Sequence, residues 1–279
     1  MRALVADLLP VLAPHAMLDQ DAGRLVLLVG TAHAEVSLDR LTAACAKLPP
    51  HAWPTRVEAW LGEKTGEVAA ALQEREQRGL VEEALRVQVT PRKRRGERRL
   101  LMCTPYGNLL DVVVTHRPLA GGGPASVSAL SREDVNRLAV ADPGSRALAN
   151  TLREELPMFT VADRVLPTGD PVRVISHSTS PYVTSALLDI TRFLPGPCPY
   201  GALIALPRYS EILLHRVHPQ SLHQAARALA DLVSATRARA HDPCTDRLLW
   251  WADDALYGVS FGRLAGRLRV PRTLRGLIH

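Results

Sequence analysis

The period of the apolar positions changes several times along the chain, and each change marks an element. Residues 2–13 put Leu4, Leu8, Leu9 and Leu12 on one helical stripe. Residues 24–30 are a short unbroken apolar run, which predicts a buried strand. A second strand is predicted at 34–38 and a helix at 39–47, stopped by Pro49 and Pro50. From 54 to 78, Val57, Trp60, Leu61, Val68 and Leu72 recur at helical spacing among Glu, Gln and Arg. Residues 85–90 (LRVQVT) alternate apolar and polar, as a half-buried strand does. An apolar run resumes at 100–103, so the basic stretch between reads as the loop of a hairpin. After a turn at Tyr106-Gly107-Asn108, another strand is predicted at 109–115. Gly121-Gly122-Gly123-Pro124 is the strongest linker signal.

In the second half, Ser131 with Asp134 forms a capping-box-like pair at a helix start. Asp142-Pro143 and Ser180-Pro181 each set a cap residue before a first-turn proline, the latter opening a helix over 181–194. Short strands are predicted at 159–161 and 172–175. Strands at 201–206 and 211–215 flank a turn at Pro207-Arg208-Tyr209-Ser210. Pro219 opens a helix to about 237, with Leu222, Ala225, Ala226, Leu229, Leu232 and Val233 on its buried face. Residues 248–251 and 256–261 pair around Asp253-Asp254. Adjacent Trp250 and Trp251 must face opposite sides of their strand. One indole belongs to the core, and the other is expected under the C-terminal segment.

The closing unit is therefore hairpin, helix, hairpin. Tight turns join antiparallel neighbours, so the predicted class is α+β, with antiparallel sheets and helices packed on one face. Three parts are expected: an N-terminal α+β module at 1–120, a C-terminal α+β module at 125–261 and a basic amphipathic tail at 262–279.

Four segments occur in a recognisable order: AEVSLDRL at 34–41, ALANTLREELP at 147–157, TSPYVTSALL at 179–188 and GALIALPRYSEILLH at 201–215. In that order the chain resembles the bacterial family typified by YtpQ, over about residues 2–261. It departs from the family at Val183 and Thr184, where an acidic and a small residue usually follow the tyrosine. The loop at 91–99 and the tail after Phe261 look like additions. The resemblance implies a soluble cytoplasmic α+β protein and no reaction.

Composition fits a folded chain: 47% hydrophobic and 22% charged residues over 279 exclude wholesale disorder. No apolar run is long enough to span a membrane, and the N-terminus lacks the pattern of a signal peptide. Four scattered cysteines without a CxxC pair suit a reducing compartment, and the cytoplasm is expected.

Charge changes the picture more. The total is +6, carried by 34 basic residues of which only Lys47, Lys64 and Lys93 are lysine. Residues 91–99 hold six cations and one acid, a net of +5, and the tail 262–279 holds five arginines and no acid. Subtracting both from +6 leaves the body at −4. The expected partner-binding residues are therefore Arg92, Lys93, Arg94, Arg95, Arg98 and Arg99 in the loop. Arg263, Arg267, Arg269, Arg272 and Arg275 join them from the tail. A protein partner is expected. Nucleic acid is the alternative, with salt-dependent phosphate contacts but no interleaved aromatics for base stacking.

Catalytic signals are sparse. A hydrolase would assemble Ser210 with His215 and an acid near the 207–215 turn, yet no G-x-S-x-G elbow is present. His215, His218 and His223 are close in sequence, without a neighbouring acid or Cys to complete a metal site, and His218 is a candidate cap for the following helix. Asp253 and Asp254 read as solvated turn acids. No phosphate loop or dinucleotide fingerprint occurs, so no catalytic residue, cofactor or metal is expected.

Overall fold

Antiparallel strands account for two sheets, and the helices lie against them. A computed structural model describes residues 2–12, 16–19, 24–29, 32–78, 80–117, 127–138, 140–261 and 268–271. Helix α1 (Arg2–Leu12) leads to strands β1 (Ala16–Asp19), β2 (Arg24–Val29) and β3 (Ala32–Ser37). Helices α2 (Asp39–Cys45) and α3 (Trp53–Arg78) follow. Val5 and Leu9 of α1, Leu41 and Cys45 of α2, and Val57, Trp60 and Leu61 of α3 close on Leu25 and Val36 of the sheet. Helical spacing selected Leu9, Val57, Trp60 and Leu61 among these; on α1 the buried line runs through Val5 and Leu9, with Leu4 and Leu8 half-buried and Leu12 exposed.

Strand β4 (Leu85–Pro91) is followed by a one-and-a-half-turn helix, α4 (Arg95–Leu100), then β5 (Cys103–Tyr106), β6 (Leu110–His116) and β7 (Ser128–Ala129). The first sheet runs β1-β2-β3-β7-β6-β4, and β5 also pairs with β6. Val113 of β6 is opposite Gln88 of β4 on one edge and Cys103 of β5 on the other. Both flanking strands are antiparallel to β6, so they run parallel to each other. The basic segment is thus a crossover past β6, not the hairpin loop that the sequence suggests. Two apolar runs close in sequence look like direct neighbours, and β6 inserts between them only afterwards.

Helices α5 (Arg132–Arg137) and α6 (Pro143–Glu154) start where predicted. The Ser131 hydroxyl accepts from the Asp134 amide, and Asp142 accepts from the Ser145 amide. Leu130, Val135 and Ala147 pack with Leu85, Val87 and Val114, so the chain through α6 builds on the first sheet. The linker at 121–124 lies outside the described residues.

The second sheet has order β14-β13-β12-β10-β11-β9-β8. Its strands are β8 (Thr160–Val165), β9 (Pro171–Ser176), β10 (Ala202–Arg208), β11 (Glu211–Arg216), β12 (Leu248–Ala252), β13 (Ala255–Phe261) and β14 (Leu268–Arg269). Every pairing is antiparallel, and the fold is α+β. Helix α7 (Leu222–Arg239) covers one face. Leu222, Ala226, Leu229 and Val233 pack there on Leu203, Ala205, Leu213 and Trp250. Side chains of opposite parity, including Ile204, Leu206, Ile212, Leu214 and Leu249, enter a different core. That core also takes Val89 and Leu110 from the first sheet, so the two sheets share hydrophobic contacts.

Between the sheets lies Val183–Phe193, a 3-10 segment that breaks helical geometry at Asp189 (φ −138°, ψ 50°). The proline start predicts an α-helix. The segment is instead buried continuously from Val183 to Leu187. The Ser185 hydroxyl donates to the Val87 carbonyl at 2.7 Å, which ties the tighter turn to β4. Trp250 is fully buried on the α7 face. Trp251 packs on the shared core. Of the described residues of the C-terminal segment, Leu268 and Val270 pack on the α7 side; the rest of that segment lies outside the described residues. Asp253 and Asp254 form the β12–β13 turn, exposed and both at positive φ, as a two-residue hairpin turn requires.

Candidate functional site

The basic segment is organised around one carboxylate. Asp111 on β6 is fully buried. Its Oδ2 accepts from the Lys93 amide at 2.9 Å. Arg92 Nε lies 3.6 Å from Oδ1, and Arg98 Nε lies 3.4 Å from Oδ2. Arg92 also donates to the Gly107 carbonyl at 3.0 Å. Glu97 accepts from the Arg94 amide at 2.9 Å at the start of α4. A buried carboxylate needs cations and donors around it, and the segment supplies them. Two of the six cations are thereby paired inside the fold.

Arg92, Arg94, Arg95 and Arg99 are exposed, while Lys93 and Arg98 are half-buried. Leu100 beside them is 68% exposed. Of the tail arginines, Arg269 on β14 is exposed. Arg263, Arg267, Arg272 and Arg275 lie outside the described residues. Asp111→Ala is expected to raise amide hydrogen exchange across 92–101 and to cost about 2–3 kcal/mol in stability. Unchanged exchange there would show that Asp111 does not hold the segment.

Nothing in the sequence singled out a second polar constellation, around Arg86. Arg86 and Glu155 are each 1% exposed. Arg86 Nε donates to Glu155 Oε1 at 3.2 Å, and its Nη1 donates to the carbonyls of Glu83 and Leu85 at 2.7 and 2.8 Å. Its Nη2 bonds Glu154. Arg117 Nη1 lies 3.3 Å from Glu155 Oε1, and the Ser180 hydroxyl donates to Oε2 at 3.0 Å. Gln88 donates to the Pro181 carbonyl at 2.8 Å. The Thr115 hydroxyl donates to the Arg86 carbonyl at 3.2 Å and lies 3.4 Å from the Tyr182 phenol oxygen. Burial pushes the Tyr182 phenol well above its usual range.

A hydrogen bond from Arg153, with the charges of Arg86 and Arg117, holds the Glu154 carboxyl below the usual carboxylate range. Its contribution is therefore present above the ordinary carboxylate pKa and is lost as pH falls through the lowered value. Both carboxylate oxygens of Glu155 are engaged with protein donors. The cluster clamps α6 and the 180–182 turn onto β4.

The 207–215 hairpin does not assemble a nucleophile. Ser210 and His215 are both buried. His215 Nδ1 lies 2.8 Å from the Pro171 carbonyl, so a backbone group, not a carboxylate, orients the ring. The buried acid nearby, Asp242, accepts from the Ser210 amide at 2.8 Å, and its backbone carbonyl accepts from the Tyr209 amide at 3.0 Å. Asp242 thus fastens the 240–245 strap over the β10–β11 turn. The triad roles for nucleophile, base and acid are unfilled.

Helix α7 begins at Leu222, later than Pro219, and His218 accepts from Arg216 Nε at 3.1 Å. His223 meets the Phe261 ring edge-on. Among the described residues, no group of three or more His, Cys, Asp or Glu gathers to hold a metal. An open cleft of about 370 Å³ lies between α2 and α7, lined by Asp39, Thr42, Arg237 and Asp246 among others. Arg237 reaches Asp39 at 4.0 Å across it. No described helix is long and apolar enough to cross a membrane.

Comparison with known proteins adds no assignment: no family model, no curated protein and no solved structure matches this chain.

Proposed function

We propose that the protein is a non-catalytic adaptor that docks an acidic protein partner on the basic segment 92–99, with the arginines of the tail as a second contact. The observation that carries this reading is the anchoring of the segment by buried Asp111. Four arginines are exposed on a fixed frame, so binding orders little additional chain. Exposed Leu100 gives the same surface an apolar contact. The rest of the chain carries −4, which disfavours acidic ligands elsewhere and directs them to the basic segment and tail. All four cysteines are free thiols, in keeping with a cytoplasmic location. The likeness to the YtpQ family implies no reaction and lends no residue role to this reading.

Fluorescence anisotropy tests it with two labelled probes, a polyglutamate peptide and a short duplex DNA. The intact protein is expected to bind the peptide. The variant R94Q/R95Q/R99Q spares the two arginines at Asp111 and is expected to bind about tenfold more weakly. Equal binding by both proteins would overturn the proposal. Preference for the duplex, with affinity falling steeply as salt rises, would favour the nucleic-acid reading.

A further inference from the structure

Strand β8 ends the second sheet, and among the described residues nothing pairs with its outer edge. All six of its residues are exposed, with Val161 at 47% and Val165 at 71%. The hydrogen-bond phase on β9 fixes which groups face outward. Thr160 is opposite Ser176, Ala162 opposite Val174 and Arg164 opposite Val172. At the hairpin end the Leu166 amide donates to the Asp170 carbonyl at 2.8 Å. Bonded pairs alternate along an antiparallel ladder. Residues 160, 162 and 164 therefore bond to β9. The amides and carbonyls of Val161, Asp163 and Val165 point to the open edge.

We propose that this edge pairs with β8 of a second copy, in an antiparallel two-fold arrangement centred on Asp163. The three residues with outward groups are symmetric about Asp163. Only this register matches each of them with one of the same set, Val161 with Val165 of the other copy and Asp163 with its equivalent. A shift to a centre at Ala162 would leave the outward groups of Val165 opposite Phe159, outside the strand. Side chains agree with the backbone. The two exposed valines meet on one face, and on the other Arg164 lies across from the small Ala162. Asp163 does not oppose the pairing. Arg173 Nε and Nη2 hold its two carboxylate oxygens at 2.8 and 2.9 Å, drawing them toward β9. Arg173 is itself tethered, with Nη1 donating to the Leu194 carbonyl at 3.0 Å. The strand has no proline and no bulge, the usual devices that block edge pairing. Its contact with itself is isologous and closes at two copies.

Sedimentation velocity over a concentration series tests this. The intact chain is expected to show a reversible monomer–dimer equilibrium. V161E/V165E places like charges opposite each other at both ends and is expected to weaken dimerisation about tenfold or more. V161K/V165E places opposite charges there and is expected to restore the dimer. Circular dichroism confirms that each variant is folded. A chain that stays monomeric at all concentrations overturns the proposal, as does a dimer indifferent to both variants.

Discussion

Arg86→Met is expected to lower the free energy of unfolding by about 3–5 kcal/mol, the range for removing one partner of a buried ion pair. Glu155 would then keep Arg117 and Ser180 but lose its only fully buried cation. The carbonyls of Glu83 and Leu85 would lose their guanidinium donor as well. Equilibrium unfolding in urea measures the loss. The double change R86M/E155L removes both charges and is expected to recover much of it, since an apolar pair of similar volume carries no desolvation cost. A single variant within about 1 kcal/mol of the parent would mean that the cluster does not clamp α6 to β4.

Gly201→Ala is the second large effect, expected at about 2–5 kcal/mol. Gly201 sits at φ +78°, where an L side chain costs about 1–2 kcal/mol. A Cβ there would also overlap the Trp251 carbonyl oxygen and stand 2.7 Å from Trp250 Nε1. Neither neighbour is free to yield. Trp250 is fully buried and donates to the Tyr200 carbonyl at 2.9 Å, while the Trp251 backbone belongs to the β10–β12 ladder. Overpacking of this kind adds about 1–3 kcal/mol. Gly169→Ala is the control. Its φ of +87° is similarly unfavourable, but a Cβ there meets nothing, so only the conformational cost of about 1–2 kcal/mol is expected. Similar thermal shifts for the two variants would show that the tryptophan contact carries no weight.

How much the sequence disclosed depended on the range of the interaction involved. Turn residues and caps are local, so the hairpin at Asp253-Asp254 and the starts of α5 and α6 were legible. Periodicity located the buried face of α7 and of α3 at Val57, Trp60 and Leu61 for the same reason. Strand β1 is four residues with no clear alternation and gave no signal. The 3-10 form of Val183–Phe193 depends on contacts with β4 across the core, which no local pattern records. The basic segment was visible as charge, but Asp111, which organises it, is one acid in an apolar run. Arg86 is one polar position of an alternating strand, and in a strand with one exposed face it would be solvated. Here both faces of β4 are covered, so the same letter becomes a buried cation.

The crossover from β4 to β5 also sets an order of events as the chain leaves the ribosome. Residues 92–99 emerge ahead of Asp111, and β4 and β5 lack the strand that joins them until β6 is synthesised after both and inserts between them. A nascent chain that stops short of residue 110 displays six uncompensated cations on an unpaired strand end. Completion of β6 both zips the sheet and brings a carboxylate to Arg92 and Arg98. The first half of the molecule therefore gains the anchor of its basic segment and its central ladder in a single late step.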